Sequence, residues 1–253
     1  MTGSEPARLQ GGVIAAGHGT RLRADGYCVS KAMTPVGGQP LIDHALDRFR
    51  AVGIRRVTII INEESDDCRR WLDRNARDVD LDLVVRTTSS SYESFKIVAG
   101  RFVRGPAVMT TIDAMMPVDD FRRFVTSAGG FAEDAVVLGL TAHIDDDNPL
   151  RATLDVPSGR ILRLGNPLGS HVTAGVYRLP ARRLAEPKTG FARLRDYLKW
   201  LVSERRQVYG VVLPLVFDVD RARDVRAAEL AGLFRDSEKA GNDDGQCLLG
   251  RLP

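Results

Sequence analysis

Short β-branched runs alternate with amphipathic helical patterns through the first 142 residues, and this alternation limits the folds open to the chain. Five runs predict strands, and four longer segments with a period of 3.6 residues predict helices. The strands are predicted at 13–16, 57–61, 81–86, 107–112 and 135–141, and the helices at 40–52, 66–77, 90–103 and 118–128. Because strands that alternate with helices form βαβ units, we expect an α/β fold with a mainly parallel, twisted sheet and helices on both faces.

The pattern changes after about residue 142. The turn sequence Pro157-Ser158-Gly159 between two apolar segments predicts a hairpin. Further strands are predicted at 171–179, 208–213 and 215–220, and further helices at 191–206 and 222–234. Since no repeat or low-complexity linker separates the two parts, we expect the second half to complete the same domain, followed by a polar tail at 236–253.

Composition excludes several classes of function. No apolar run approaches the roughly 18 residues that a membrane-spanning helix needs, and the first ten residues have no apolar core of a secretory signal. The net charge of +3 is too small to indicate nucleic acid as a partner. The three cysteines form no CxxC pair and are odd in number, which predicts a reduced, cytoplasmic setting.

The segment IAAGHGTRLR, residues 14–23, places two glycines and an arginine directly after the first predicted strand. Glycines let consecutive backbone N–H groups approach an anion, and Arg21 can hold a phosphate bidentately. A tight turn with a surface arginine is the alternative explanation. A P-loop is excluded because no Lys-Ser/Thr pair completes its motif. A dinucleotide-binding fingerprint is excluded as well, because Leu22 stands where that motif needs a third glycine and 23–30 predicts a loop where it needs a helix.

The strings AAGHGTRL and, from Lys31 onward, KAMTPVGGQPLIDH resemble the signature of the NTP-transferase or sugar-nucleotide pyrophosphorylase family. The resemblance implies a Rossmann-like (GT-A-like) nucleotidyltransferase fold over 1–235, with a nucleotide-binding half at 10–142 and an acceptor-binding half at 143–235. It implies that Lys31 reaches the α-phosphate and that the preceding loop holds the triphosphate. The implied nucleotide-binding residues of the loop are Ala15, Ala16, Gly17, Gly19, Thr20 and Arg21. Ser30 departs from the family, where many members have proline, which predicts a less rigid loop.

Acidic residues supply the second half of the predicted chemistry. Mg²⁺ prefers one or two carboxylates together with phosphate oxygens, and Asp113 ends an apolar strand where such a carboxylate is expected. The late segment FDVD resembles the family segment that contains a second metal ligand. This resemblance implies that Asp218 binds the metal together with Asp113. Asp220 is the alternative ligand, or else the N-cap of the helix that follows. The aspartates at 145–147 are read as a turn before the hairpin.

The base and the acceptor are less well defined by the sequence. The Ser-rich loop after the third strand resembles that of cytidylyltransferase-like members, which implies Ser89 and Ser90 as base or triphosphate contacts and weakly favours CTP. Ser90 with Glu93 equally predicts a helix-capping box. The strand that contains Gly175 and Tyr177 resembles the acceptor-binding strand of the family.

The resemblance implies an enzyme that transfers NMP from an NTP to a phosphorylated sugar or small alcohol, with Mg²⁺ as cofactor and pyrophosphate as product. Arg21, Lys31 and Asp113 are the implied catalytic residues, because phosphoryl transfer needs charge neutralisation and positioning rather than a general base. Two alternatives remain open: a DxD-type nucleotide-sugar glycosyltransferase, and a catalytically silent nucleotide-sensing domain of the same fold. The base, the acceptor and any homo-oligomer are left open as well.

Overall fold

The computed structural model describes residues 9–103, 105–144, 148–180, 190–204 and 206–232. The strands in this part of the chain are β1 (Gln10–Ala15), β2 (Pro35–Val36), β3 (Gln39–Pro40), β4 (Arg56–Ile61), β5 (Asp80–Val85), β6 (Ala107–Thr111), β7 (Ala114–Met115), β8 (Val136–Thr141), β9 (Arg151–Asp155), β10 (Arg160–Leu164), β11 (His171–Leu179), β12 (Val208–Leu213) and β13 (Phe217–Asp218). The helices are α1 (Thr20–Ala24), α2 (Leu41–Ala51), α3 (Asp66–Asn75), α4 (Ser91–Arg101), α5 (Val118–Gly129), α6 (Leu194–Ser203) and α7 (Ala222–Leu230), and Lys31–Met33 form a 3-10 turn.

Nine strands form one continuous sheet in the order β5-β4-β1-β6-β11-β8-β12-β10-β9. The α/β class is confirmed, but the sheet is mixed rather than mainly parallel. Strands β5, β4, β1 and β6 run parallel, as the βαβ pattern predicts. Strand β11 then lies between β6 and β8 and is antiparallel to both. At the far edge of the sheet, β10 pairs antiparallel with β12 and forms a hairpin with β9. The second half therefore extends the same sheet with both antiparallel pairings and the parallel β8–β12 pair.

Alternating side chains of the central strands feed two hydrophobic cores, one on each face of the sheet. In β1, Val13 and Ala15 belong to the core that α2, α3, α5 and α7 cover. Ile14 belongs to the opposite core, which α4 and α6 cover. Successive side chains of a strand point to opposite faces of the sheet, which produces this division. Helices cover both cores, so the expectation of helices on both faces is confirmed.

Local differences from the prediction lie next to the glycine loop and near the late aspartates. The five-residue helix α1 begins directly after Gly19 and extends into the loop predicted at 23–30, and Leu22 is buried on its inner side. The strand predicted at 215–220 is limited to Phe217–Asp218. The aspartates at 145–147 and the tail at 236–253 lie outside the described residues. Among the described helices, none is both long and apolar enough to cross a membrane.

Candidate active site

The glycine loop follows β1 and lies against the turn that carries Lys31. Gly19 has a φ of 62°, and a Cβ at this position would lie 2.9 Å from Lys31 Cβ, so glycine is required both by the backbone and by the close approach. A Cβ at Gly17 would meet no protein atom within 4 Å, so the space beside this residue is open. Asn62, at the end of β4, donates from Nδ2 to the carbonyls of Ala16 and Gly17 at 3.4 and 3.3 Å and holds the loop in place.

Lys31 is the buried cation of the site. Its Nζ lies 2.5 Å from Asp113 Oδ2 and also donates to Asp220 Oδ1, while its side chain is only 8% exposed. Burial alone would lower the pKa of Lys31, but the carboxylates of Asp113 and Asp220 reverse this effect and raise the pKa above its usual value. Arg21 Nη1 donates to the other oxygen of Asp220 at 2.8 Å. The two predicted cations therefore converge on the acidic residues.

A two-stranded ribbon brings the acidic residues together. Strands β7 and β13 pair antiparallel, with Asp218 opposite Ala114, and Val219 N donates to Asp113 O at 3.0 Å. One carboxylate oxygen each from Asp113, Asp218 and Asp220 lies within 4.8 Å of the others. Asp218 therefore reaches Asp113 through this ribbon, and not because both residues end parallel strands of the main sheet.

Asp220 is part of this acidic cluster and does not cap α7. Arg221 occupies the N-cap position, and the carboxylate of Asp224 accepts the backbone N–H groups of Asp220 and Arg221 at 2.9 and 2.7 Å. The alternative of Asp220 as an N-cap is thus wrong. The acidic cluster, meaning Asp113, Asp218 and Asp220, includes the carboxylates that pair with Arg21 and Lys31.

Two supporting residues were missed in the sequence. Asp67 accepts the backbone N–H of Ser30 at 2.8 Å, a bond that proline could not donate, so the serine does not leave this loop unsupported. Arg48 is 1% exposed, and it donates from Nη2 to Ala114 O at 3.0 Å beneath β7. Burial lowers the pKa of Arg48 to about 10. The spacing of Arg48 from Leu41 and Ala45 already puts it on the inward face of α2, which is the signal that could have identified it.

The predicted base-contact residues form a helix cap. Ser90 is the N-cap of α4, and its hydroxyl accepts the N–H of Glu93 at 3.1 Å. Glu93 accepts in return from the backbone and hydroxyl of Ser89, both at 2.8 Å. The capping interpretation is therefore confirmed, and a contact with the base remains a prediction.

A cavity of about 330 Å³ lies beside the acidic cluster, and its described lining includes no residue of the glycine loop. Asp113 and Asp218 line one part of its wall, together with the predicted acceptor residues Gly175 and Tyr177. Gly175 has a φ of 65°, and a Cβ there would lie 2.7 Å from Ala114 Cβ, so glycine lets β11 approach β7. Burial, followed by the charges of Asp113 and Asp218, raises the pKa of Tyr177, which keeps this phenol neutral.

The chemistry of the acidic cluster fits a hard divalent cation. Its three carboxylates supply oxygen donors only, and one oxygen from each lies within 4.8 Å of the others. Mg²⁺ is typically held by one or two carboxylates while substrate phosphates fill other positions.

Three comparisons relate the chain to known proteins. The bifunctional protein GlmU of Symbiobacterium thermophilum is 32% identical over 65 residues, which is 26% of this chain and only 13% of that relative. A structure described as a glucose-1-phosphate thymidylyltransferase from Bacillus anthracis superposes with a TM-score of 0.78 at 18% identity, covering 92% of this chain and 98% of the other. The inositol-1-phosphate CTP transferase of T. maritima gives a TM-score of 0.74 at 18% identity, with 91% and 97% covered. At these identities the two structures establish the fold.

The glycine loop, Lys31 and Asp113 all fall within one region that matches a family model. Residues 11–150, more than half of the chain, match the family described as the MobA-like NTP transferase domain. This region contains β1 from Gly11 onward and the elements that follow as far as β8, and thus Arg21, Lys31 and Asp113. The chain therefore belongs to the MobA-like NTP transferase domain family.

Proposed function

We propose that this protein is a nucleotidyltransferase that transfers NMP from an NTP to a phosphorylated sugar or small alcohol and releases pyrophosphate. The observation that carries the proposal is the position of Asp113, which pairs with Lys31 behind the glycine loop and also lines the cavity. A triphosphate on the loop and an acceptor in the cavity would meet at this carboxylate. The activities named for the two similar structures, thymidylyl transfer to glucose 1-phosphate and CTP-dependent transfer to inositol 1-phosphate, support the same reaction class.

The proposed reaction needs no general base. The second pKa of a phosphate monoester is about 6, so the acceptor is already anionic at neutral pH. One of its oxygens attacks the α-phosphorus, a new P–O bond forms, and the bond to pyrophosphate breaks as pyrophosphate leaves with the electron pair. The loop backbone at 17–20 and Arg21 hold the distal phosphates, while Lys31 neutralises charge at the α-phosphate.

Asp113 and Asp218 are the proposed Mg²⁺ ligands, and Asp220 is placed to be a third. When bound, Mg²⁺ supplies Lewis-acid neutralisation of phosphate charge. Lys31 already pairs with Asp113 and Asp220, so these carboxylates also fix the ammonium group for its role at the α-phosphate. The oxygen-only donor set is the support for Mg²⁺ over a softer metal.

The finer assignments belong to the same proposal. Residues 10–142 bind the nucleotide and 143–235 the acceptor, with Ala15, Ala16 and the loop to Arg21 around the phosphates. Ser89 and Ser90 precede α4 and contact the base or the triphosphate, with CTP favoured by the resemblance of their loop to cytidylyltransferase loops. The absence of a CxxC pair fits a reduced, cytoplasmic setting.

Pyrophosphate release tests the proposal directly. Four NTPs are combined with sugar, polyol and amino-alcohol phosphates, with and without Mg²⁺, and pyrophosphate and free nucleotide are both measured. Metal-dependent pyrophosphate from one pair supports the transferase. Release of a nucleotide from an NDP-sugar would instead favour the glycosyltransferase, and nucleotide binding without any product would favour a sensing domain.

A further inference from the structure

The wall of the cavity beside the acidic cluster contains both apolar and polar side chains. Leu150, Val172 and Leu198 contribute apolar surface, whereas His143, Thr173, Arg193 and Arg195 are among the residues that contribute polar groups. The polar atoms of such a wall help to determine which ligand is accepted, because each one needs a hydrogen-bond partner when water is displaced.

His143 is held in a fixed orientation within this wall. Its backbone N–H donates to Thr141 Oγ1 at 3.1 Å, which anchors the chain just after β8. Its ring packs edge-on against Phe217 at 4.9 Å with an interplanar angle of 64°. Because Phe217 directly precedes Asp218 in β13, the imidazole is fixed relative to the acidic cluster.

The Nε2 atom of His143 is buried and has no hydrogen-bond partner among the described residues. A buried polar atom that lacks a partner costs about 1–3 kcal/mol, so such atoms usually bind a ligand or an ordered water molecule. Since His143 lines the cavity, an occupant of the cavity can supply the partner. An imidazole nitrogen can donate to or accept from a hydroxyl group, according to its tautomer.

We propose that His143 hydrogen-bonds a hydroxyl group of the acceptor and thereby selects polyhydroxylated phosphate monoesters over apolar ones. This inference rests on the proposed function and narrows its acceptor class. The phosphate of the acceptor lies toward Asp113 and Asp218, where the reaction takes place, and its alcohol portion extends along the wall to His143. The imidazole is a specificity-determining group, and no proton transfer is assigned to it.

The test compares two acceptors with the same carbocycle, myo-inositol 1-phosphate and cyclohexyl phosphate, of which only the first carries further hydroxyl groups. The value of kcat/KM for each is measured from pyrophosphate release with the preferred NTP. In His143→Phe the ring contact with Phe217 is kept while Nε2 is lost, and we expect kcat/KM for the hydroxylated acceptor to fall roughly tenfold. The value for cyclohexyl phosphate should change less than about threefold, and His143→Gln should restore most of the loss. If myo-inositol 1-phosphate is not a substrate, glucose 1-phosphate and its monodeoxy analogues replace the pair.

His171→Phe is the matched control, since His171 begins β11 outside the cavity wall and contacts Ser170. It should leave the preference between the acceptors unchanged, and unchanged melting temperatures verify that each variant folds. Three outcomes would overturn the inference and leave the proposed transferase function intact. They are equal losses of kcat/KM for both acceptors in His143→Phe, no loss for either acceptor, and a wild-type protein that shows no preference between the two. Binding of Mg²⁺-NTP without turnover of any acceptor would also overturn it. Absence of NTP binding would instead reject the proposed function itself.

Discussion

Replacement of Lys31 by methionine tests the buried charge at the centre of the site. The change removes the ammonium group between Asp113 and Asp220 and keeps most of the aliphatic side chain. Breaking a buried pair costs about 3–5 kcal/mol. Because the side chains of Asp113 and Asp220 remain 23% and 31% exposed, water can replace part of the interaction. We therefore expect a loss of about 2–3 kcal/mol in the free energy of unfolding, or roughly 5–10 °C in Tm.

Two further readouts separate charge from packing. At the proposed site Mg²⁺ would compete with Lys31 for the carboxylates in the wild type, so Mg²⁺ should raise the Tm of Lys31→Met more than that of the wild type. Adding Asp113→Asn to Lys31→Met removes the carboxylate that has lost its cation, since Asp220 still pairs with Arg21, and should recover part of the stability. Activity should not recover, because kcat falls about 10²-fold when a preorganised electrostatic donor is lost, whereas the KM for NTP should change less.

Lys199→Met is the matched control. Lys199 is 42% exposed and pairs with Asp196 at 3.4 Å on the surface of α6, so its loss should cost less than about 1 kcal/mol. Calorimetry or thermal denaturation, with and without Mg²⁺, measures the stability, and pyrophosphate release measures turnover. A Lys31→Met protein with wild-type Tm, wild-type Mg²⁺ response and normal kcat would refute the reasoning.

Three further predictions follow from the geometry. Asp113→Asn and Asp218→Asn should each nearly abolish turnover, and the double variant should be little worse than either, because residues that act through one ion are non-additive; fully additive losses in kcat would contradict a shared metal. Burial lowers the pKa of His44 below the value of about 6.5 that it has in the unfolded chain. The stabilisation that the neutral imidazole contributes is therefore complete above about pH 6.5 and is lost as the pH falls toward the pKa of His44 in the folded state. Urea unfolding at pH 7 and 5.5 should show a smaller decrease for His44→Gln than for the wild type, and equal decreases would exclude His44 as the cause. Iodoacetamide at pH 8 should modify the exposed Cys28 and spare Cys68, whose pKa burial raises to about 12; peptide mapping detects both, and rapid labelling of Cys68 would contradict its burial.

The order of the elements was readable from the sequence because it depends on local patterns. A strand shows its period of two and a helix its period of 3.6 within about a dozen residues, so β11 at 171–179 and β12 at 208–213 were predicted with their observed bounds. The glycine loop and Lys31 were found for a similar reason. They lie within a short stretch of chain, and the spacing of that stretch carries the resemblance.

The long-range geometry was decided by the tertiary structure. The direction of β11 depends on which strands it pairs with, and no local pattern encodes that choice, so the mixed sheet was not predicted. The β7–β13 ribbon brings Asp218 beside Asp113 across 105 positions of sequence, and its two short strands give almost no periodic signal. Sequence spacing thus identified which residue types could carry the chemistry. Only the packing of α2, β7 and β13 determined that Lys31 lies between two carboxylates and that Asp220 joins the acidic cluster. The physical reason is that distances between remote residues depend on pairings that form only when the whole sheet is assembled.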